Sequence, residues 1–298
     1  MHAKLTFVRK FLPLLLLLLW TVLSPLPSGG QTALAASPAL TPAQAQALVD
    51  RALAAELRAA QDETHPMRYR LRKSSPRLTS TKEILETRDG DVARLVSLFD
   101  KPLSAADEQL EQARLDALLA DPSRQRHRKQ GEEGDLGIVL KLLRMLPTAY
   151  LYQYAGEGAG PAGKVQKFSF RPNPDFSPPD FETQALTAMT GEIWIDAAQE
   201  RVTRLEGHLQ QDTEYAWGIL GRLDKGGWIV IEQADMGGRQ WRLARFQMKM
   251  SLRVLFKTRD IDTTEEMTQY APLPLGLDYQ QAIRMVRGGA EATAQSGR

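Results

Sequence analysis

The sequence predicts an α+β fold: a curved antiparallel sheet, an incomplete β-barrel, packed against an N-terminal helix and a helical insertion. Three observations carry this expectation. Residues 245–257 alternate strictly, with Phe246, Met248, Met250, Leu252, Val254 and Phe256 on one parity. Arg245, Gln247, Lys249, Ser251, Arg253 and Lys257 take the other, and only Leu255 breaks the pattern. Side chains of a strand point alternately to its two faces, so this reads as one long strand with an apolar and a wetted side. At about 3.3 Å per residue it runs roughly 40 Å. Second, Thr41-Pro42 opens a stretch with apolar residues at helical spacing. Third, strand-like segments follow one another with short turns between them, the pattern of an antiparallel meander.

In chain order, Lys4, Arg9 and Lys10 precede an apolar run, Phe11 to Leu23, that contains six consecutive leucines. A polar stretch with Pro25 and Pro27 leads to Ala33-Leu34-Ala35, a small-x-small pattern. This is the layout of a secretory signal, with cleavage expected after Ala35. The run is shorter than the roughly 20 residues a spanning helix needs. Residues 1–35 are therefore assigned to a signal peptide, 36–276 to a single curved-sheet domain with a helical insertion at 103–146, and 277–298 to a C-terminal helix or flexible tail.

Composition narrows the function classes. Removing Lys4, Arg9 and Lys10 from the 38 Lys and Arg leaves 35 against 36 Asp and Glu, a net of −1. That removes a global electrostatic case for nucleic acid or an anionic membrane. No later stretch reaches membrane-spanning length, so the mature chain is expected to be soluble. The chain has no cysteine, which excludes disulfides, thiolate catalysis, Cys-ligated zinc and lipidation at a cysteine. An exported domain without disulfides must be held by its core, and this composition suits a periplasm.

Thr41 caps a helix that carries Leu48, Leu53 and Leu57 and ends at His65-Pro66. Met67, Tyr69 and Leu71 alternate with three arginines; Leu78–Thr87 and Val92–Phe99 are further strands around the Asp89-Gly90 turn. Leu103 to Leu146 reads as two helices joined by a charged loop, Arg124 to Gly134, with Pro147 as the stop. Tyr150, Tyr152 and Tyr154 share a strand face, Val165–Phe170 is a strand, and Arg171–Asp180, with four prolines, is an extended loop. Strands follow at 191–197, 200–211, 215–223, 228–234 and 240–258, with a final one expected at 265–270. Gly218 and Gly221 are placed to let the sheet curl, and residues 288–298 read as a frayed tail.

Reaction signatures are missing: there is no G-x-S-x-G elbow, H-E-x-x-H helix, phosphate loop or dinucleotide fingerprint. A non-enzymatic protein without cofactor or metal is expected. His208 and Glu206 form an acid–base couple on paper, but residues i and i+2 on a wetted strand face pair without catalytic purpose. Asp260–Glu266 lacks the glycine and spacing of a calcium loop and reads as a solvated turn. Arg124–Lys129 is the densest basic cluster and reads as a mobile charged loop, with docking of lipid headgroups or an acidic partner as the alternative.

The helix at 42–62, the strand Met67–Leu71, the segment Gly191-Glu192-Ile193-Trp194-Ile195-Asp196 followed by Arg201-Val202-Thr203-Arg204-Leu205, and the long strand to Lys257 together resemble the periplasmic lipoprotein carriers of the Lol type and related lipoprotein-sorting and sensor domains. The resemblance implies a curved half-barrel closed by helices, whose apolar hollow takes acyl chains. The expectation is a periplasmic protein that binds or carries a lipid, a lipoprotein or another acyl chain on the face of Phe246, Met248, Met250, Leu252, Val254 and Phe256. Met248 and Met250 suit an irregular guest because thioether side chains adapt. The alternative is an envelope sensor or assembly factor that works through an envelope protein partner while helices fill the trough.

Overall fold

The computed structural model describes residues 40–215, 221–254 and 257–296. The expected signal peptide, Gly218 and Phe256 lie outside the described residues. Among the described residues thirteen strands form one antiparallel sheet: β1 (Met67–Ser74), β2 (Thr79–Leu85), β3 (Val92–Leu98), β4 (Lys101–Pro102), β5 (Tyr150–Gly160), β6 (Gly163–Pro172), β7 (Met189–Asp196), β8 (Val202–Leu209), β9 (Thr213–Tyr215), β10 (Gly221–Leu223), β11 (Trp228–Asp235), β12 (Trp241–Val254) and β13 (Lys257–Pro272). The helices are α1 (Pro42–Ala59), α2 (Ala105–Ala120), α3 (Pro122–Ala149), a single turn α4 (Phe181–Gln184) and α5 (Tyr279–Ser296).

The strand order is β4-β3-β2-β1-β13-β12-β11-β8-β7-β6-β5, with β9 and β10 attached beside β12. Two meanders are thus joined where the early strand β1 meets the late strand β13. The ends, β4 and β5, do not pair, so the curved sheet stays open. Bulges between Thr81 and Lys82, Tyr154 and Gly156, Trp194 and Ile195, and Glu232 and Gln233 break the register, and bulges bend strands and increase their twist.

The connection from β4 to β5 must cross the whole sheet. Nine inter-strand steps separate β3 from β5, roughly 43 Å on a flat sheet. α3 has 28 residues, a length of roughly 42 Å. The expected charged loop at 124–134 is therefore a correction: those residues continue one helix. Arg, Gln, Lys and Glu are good helix formers, and Asp121 followed by Pro122 starts the helix, its carboxylate accepting from Ser123 N at 3.0 Å. Pro147 is also corrected, since it lies inside the last turn of α3 rather than stopping it. The acidic segment expected as a turn belongs to β13, the expected single strand 240–258 is two, β12 ending at Val254 and β13 beginning at Lys257, and the expected tail is helical as far as Ser296.

α1 begins with a reciprocal cap. Thr41 Oγ1 accepts from Gln44 N at 3.3 Å while Gln44 Oε1 accepts from Thr41 N at 2.9 Å. Its buried stripe, Ala45, Leu48, Val49, Ala52, Leu53 and Glu56, has helical spacing. This stripe packs with Leu146 and Ala149 of α3 on Tyr150, Tyr152, Phe168, Phe170, Ile193 and Ile195. Glu56 is 8 % exposed. It accepts from Arg201 Nε and Nη2 at 2.7 and 2.9 Å, from Val202 N at 2.9 Å and from Gln233 Nε2 at 2.9 Å. The charge is fully satisfied and pins α1 to β8 and β11. A second core forms at the β2–β3 end from Leu85, Val92, Leu115, Leu118, Ala282, Ile283 and Val286.

Candidate functional site

Antiparallel partners face the same way, so the register traces rows across the sheet. One row on the face carrying α1 reads Tyr154, Phe168, Ile193, Leu205, Ile231, Phe246, Glu265, Lys73. The next reads Tyr152, Phe170, Gly191, Gly207, Ile229, Met248, Thr263. Met250 and Leu252 follow on β12, opposite Ile261 and Arg259. Neither glycine leaves room for a side chain: a Cβ on Gly191 would lie 1.8 Å from Glu206 O, and one on Gly207 would lie 2.4 Å from Met189 Sδ.

The four described residues of the expected lining, Phe246, Met248, Met250 and Leu252, do share this inner face. Val254 ends β12, its side chain lying outside the description, as does Phe256. Burial fades along the row. Phe168 and Ile193 are fully buried under α1, whereas Leu205, Ile231 and Phe246 are half-buried. Met250 and Ile229 touch the main core, but Ile231, Phe246, Met248 and Leu252 belong to neither core cluster. At β13 the same face turns polar, with Arg259, Thr263 and Glu265 in line with the apolar residues of β12.

α3 is anchored at both ends, at the turn between β2 and β3 and in the main core. Near its start, Gln125 Nε2 donates to Asp89 O and Gly90 O at 3.0 and 2.8 Å, and Glu132 accepts from Asp91 N at 2.9 Å. Near its end, Leu142, Leu143 and Leu146 enter the main core. Every residue from Glu133 to Val139 is exposed, including Leu136, Ile138 and Val139 at 38, 42 and 48 %. Helical spacing places Ile138 and Val139 on an apolar helix face, but in place they cover nothing. The sequence concealed this because periodicity marks an apolar stripe but not whether a surface lies opposite it.

Beneath the first half of α3, Tyr69 stacks on Tyr270 at 5.0 Å. Beside them, burial above all, then the carboxylates of Glu132 and Glu86, push Asp91 up to about 7. Two recesses of about 420 and 360 Å³ lie elsewhere, one around Arg58, Asp62 and Arg201, the other around Met67, Met236 and Leu273. His208 Nε2 sits 2.9 Å from Glu206 Oε1 on the opposite face, where Glu206 also pairs with Arg204 at 2.6 Å. The acidic residues of β13 are engaged across strands, Asp260 with Ser251, Glu265 with Lys73 and Glu266 with Arg245.

Fold and face define an α+β half-barrel with a helix strapped across a partly apolar inner surface. Among solved structures the chain is similar to a domain from Vibrio parahaemolyticus described as a candidate outer membrane lipoprotein-sorting protein. That likeness has 10 % identity and a TM-score of 0.32, covering 80 % of this chain and 98 % of that one. It is also similar to MucB, solved in complex with MucA(peri), at 12 % identity and a TM-score of 0.22, covering 77 % of this chain and 99 % of that one. No protein-family model matches the chain, and no curated protein does. Among the described residues no helix is long and apolar enough to cross a membrane.

Proposed function

We propose that this exported protein binds or carries a lipophilic ligand, an acyl chain of a lipid or lipoprotein, in the strip between α3 and strands β11 and β12. One observation carries the reading: Ile231, Phe246, Met248 and Leu252 are half-buried on the inner face yet packed into neither core. The strap alongside presents Leu136, Ile138 and Val139 to solvent. Two apolar surfaces without a mutual partner are what a chain of methylenes can bridge. Each buried CH₂ contributes about 0.8 kcal/mol, so a 16-carbon chain gains at most roughly 10–13 kcal/mol before ordering costs. Such binding needs no catalytic group, and the protein acts without chemistry.

Native mass spectrometry of protein purified from a bacterial envelope tests the reading. A co-purifying lipid, lost in Met248→Asp and Phe246→Asp variants that keep a native circular dichroism spectrum, supports it. A stoichiometric protein partner and no lipid would replace it with the protein-contact alternative.

A further inference from the structure

The inner face carries a charge that the rest of the fold does not use. Lys82 on β2 lies between Leu71 of β1 and Leu95 of β3 in register, on the same face as Lys73, Glu265 and Phe246. It is exposed and makes no hydrogen bond or ion pair among the described residues. Its charged neighbours come from three elements: Arg128 of α3, Arg114 and Glu111 of α2, and Lys73 of β1. Each neighbouring cation already has a carboxylate. Arg128 pairs with Glu132 at 3.0 Å, Arg114 with Glu111 at 2.7 Å and Lys73 with Glu265 at 2.6 Å. Glu111 is committed, since Oε1 accepts from Leu95 N at 2.8 Å as well as from Arg114. Partial burial first, then the charges of Arg128 and Arg114, hold the Lys82 ammonium below its usual range. The vicinity therefore has a positive charge to spare.

An apolar path leads from this charge to the strip. Lys82 faces Leu71, Leu71 faces Met267 on β13, and both are half-buried. Phe246 stands one strand further, on β12, so the separation is three inter-strand steps, roughly 14 Å. An extended acyl chain spans that distance.

We infer that the guest is an anionic amphiphile whose phosphate or carboxylate headgroup sits at Lys82, flanked by Arg114, Arg128 and Lys73, while its chain lies over Leu71, Met267 and the β12 strip. This deepens the proposed function and rests on it. The free ammonium supplies the first charge-assisted hydrogen bond.

Calorimetric titration of the full chain with lysophosphatidylglycerol, lysophosphatidylcholine and inorganic phosphate, each lipid below its micellar concentration, tests the assignment. The expected result is about ten-fold tighter binding of the anionic lipid, the size of one charge-assisted hydrogen bond. Lys82→Gln and Lys82→Glu remove that preference and leave the zwitterionic lipid unchanged. Lys82 is exposed, so both variants are expected to fold, and circular dichroism confirms it. Equal affinities for the two lipids, unaltered in Lys82→Glu, overturn the headgroup site while leaving the lipid reading in place. Inorganic phosphate binding as tightly as the anionic lipid makes Lys82 a site for free anions and overturns it differently. No binding of either lipid overturns both inferences.

Discussion

The two faces of the same strands are built on opposite principles. On the inner face a row of Tyr154, Phe168, Ile193, Leu205, Ile231 and Phe246 sits against helices at one end and lies open at the other. On the outer face the adjoining row reads Lys167, Trp194, Arg204, Glu232, Arg245, Glu266, Arg72. Lys167 Nζ lies 4.0 Å from the Trp194 ring centre, Arg204 pairs with Glu232, Arg245 with Glu266 at 2.9 Å and Arg72 with Asp100 at 2.7 Å. Cohesion comes from within, through burial. The outer ladder alternates in sign and selects register, because a slip of one residue would bring like charges together or turn the apolar set to water.

The sharpest way to break this contrast is along the inner row itself. Phe168→Ala, under α1, is expected to cost about 4 kcal/mol, whereas Phe246→Ala costs about 1 kcal/mol because its site is already half open. Urea unfolding of both variants measures the gap, and equal costs would mean the β12 strip is ordinary core. Glu56→Gln removes one partner of a buried pair and is expected to cost about 3 kcal/mol in the same measurement.

Asp91 gives a pH test at the strap's anchor. Its folded-state value, about 7, lies above the unfolded carboxylate's. The group therefore contributes stability that is fully present near pH 4 and is lost as pH rises through 7. Asp91→Asn is expected to gain roughly 1–2 kcal/mol over the native chain at pH 8, with the difference vanishing near pH 4. Melting curves across that range check the sign. The smallest effect belongs to the outer ladder: Glu232→Gln should change stability by less than about 1 kcal/mol, and less again in high salt.

Much of the architecture was legible in the sequence because period two and the Asp89-Gly90 and Thr41-Pro42 signals are local. Phe246, Met248, Met250 and Leu252 do share a face, since parity survives any packing. The division between β12 and β13 was not legible, as no turn residue interrupts Val254 to Lys257. Nor was the inner-face role of Gly191 and Gly207, which depends on what passes over them. The charged half of α3 was not legible as helix because residues 124–134 carry no apolar stripe, and they include Gly131 and Gly134. In a helix each costs about 1 kcal/mol relative to alanine, yet the anchors at Gln125 and Glu132 hold it. Lys82 drew no notice at all, because its isolation is a property of which strands meet.

The pairing of β1 with β13 joins Met67 to Pro272, so one rim of the first hairpins waits for residues 257–272 to be made. Until then that rim exposes unpaired amides. Such long-range closure folds slowly, which makes assembly dependent on β13 and on protection from self-association in the interval.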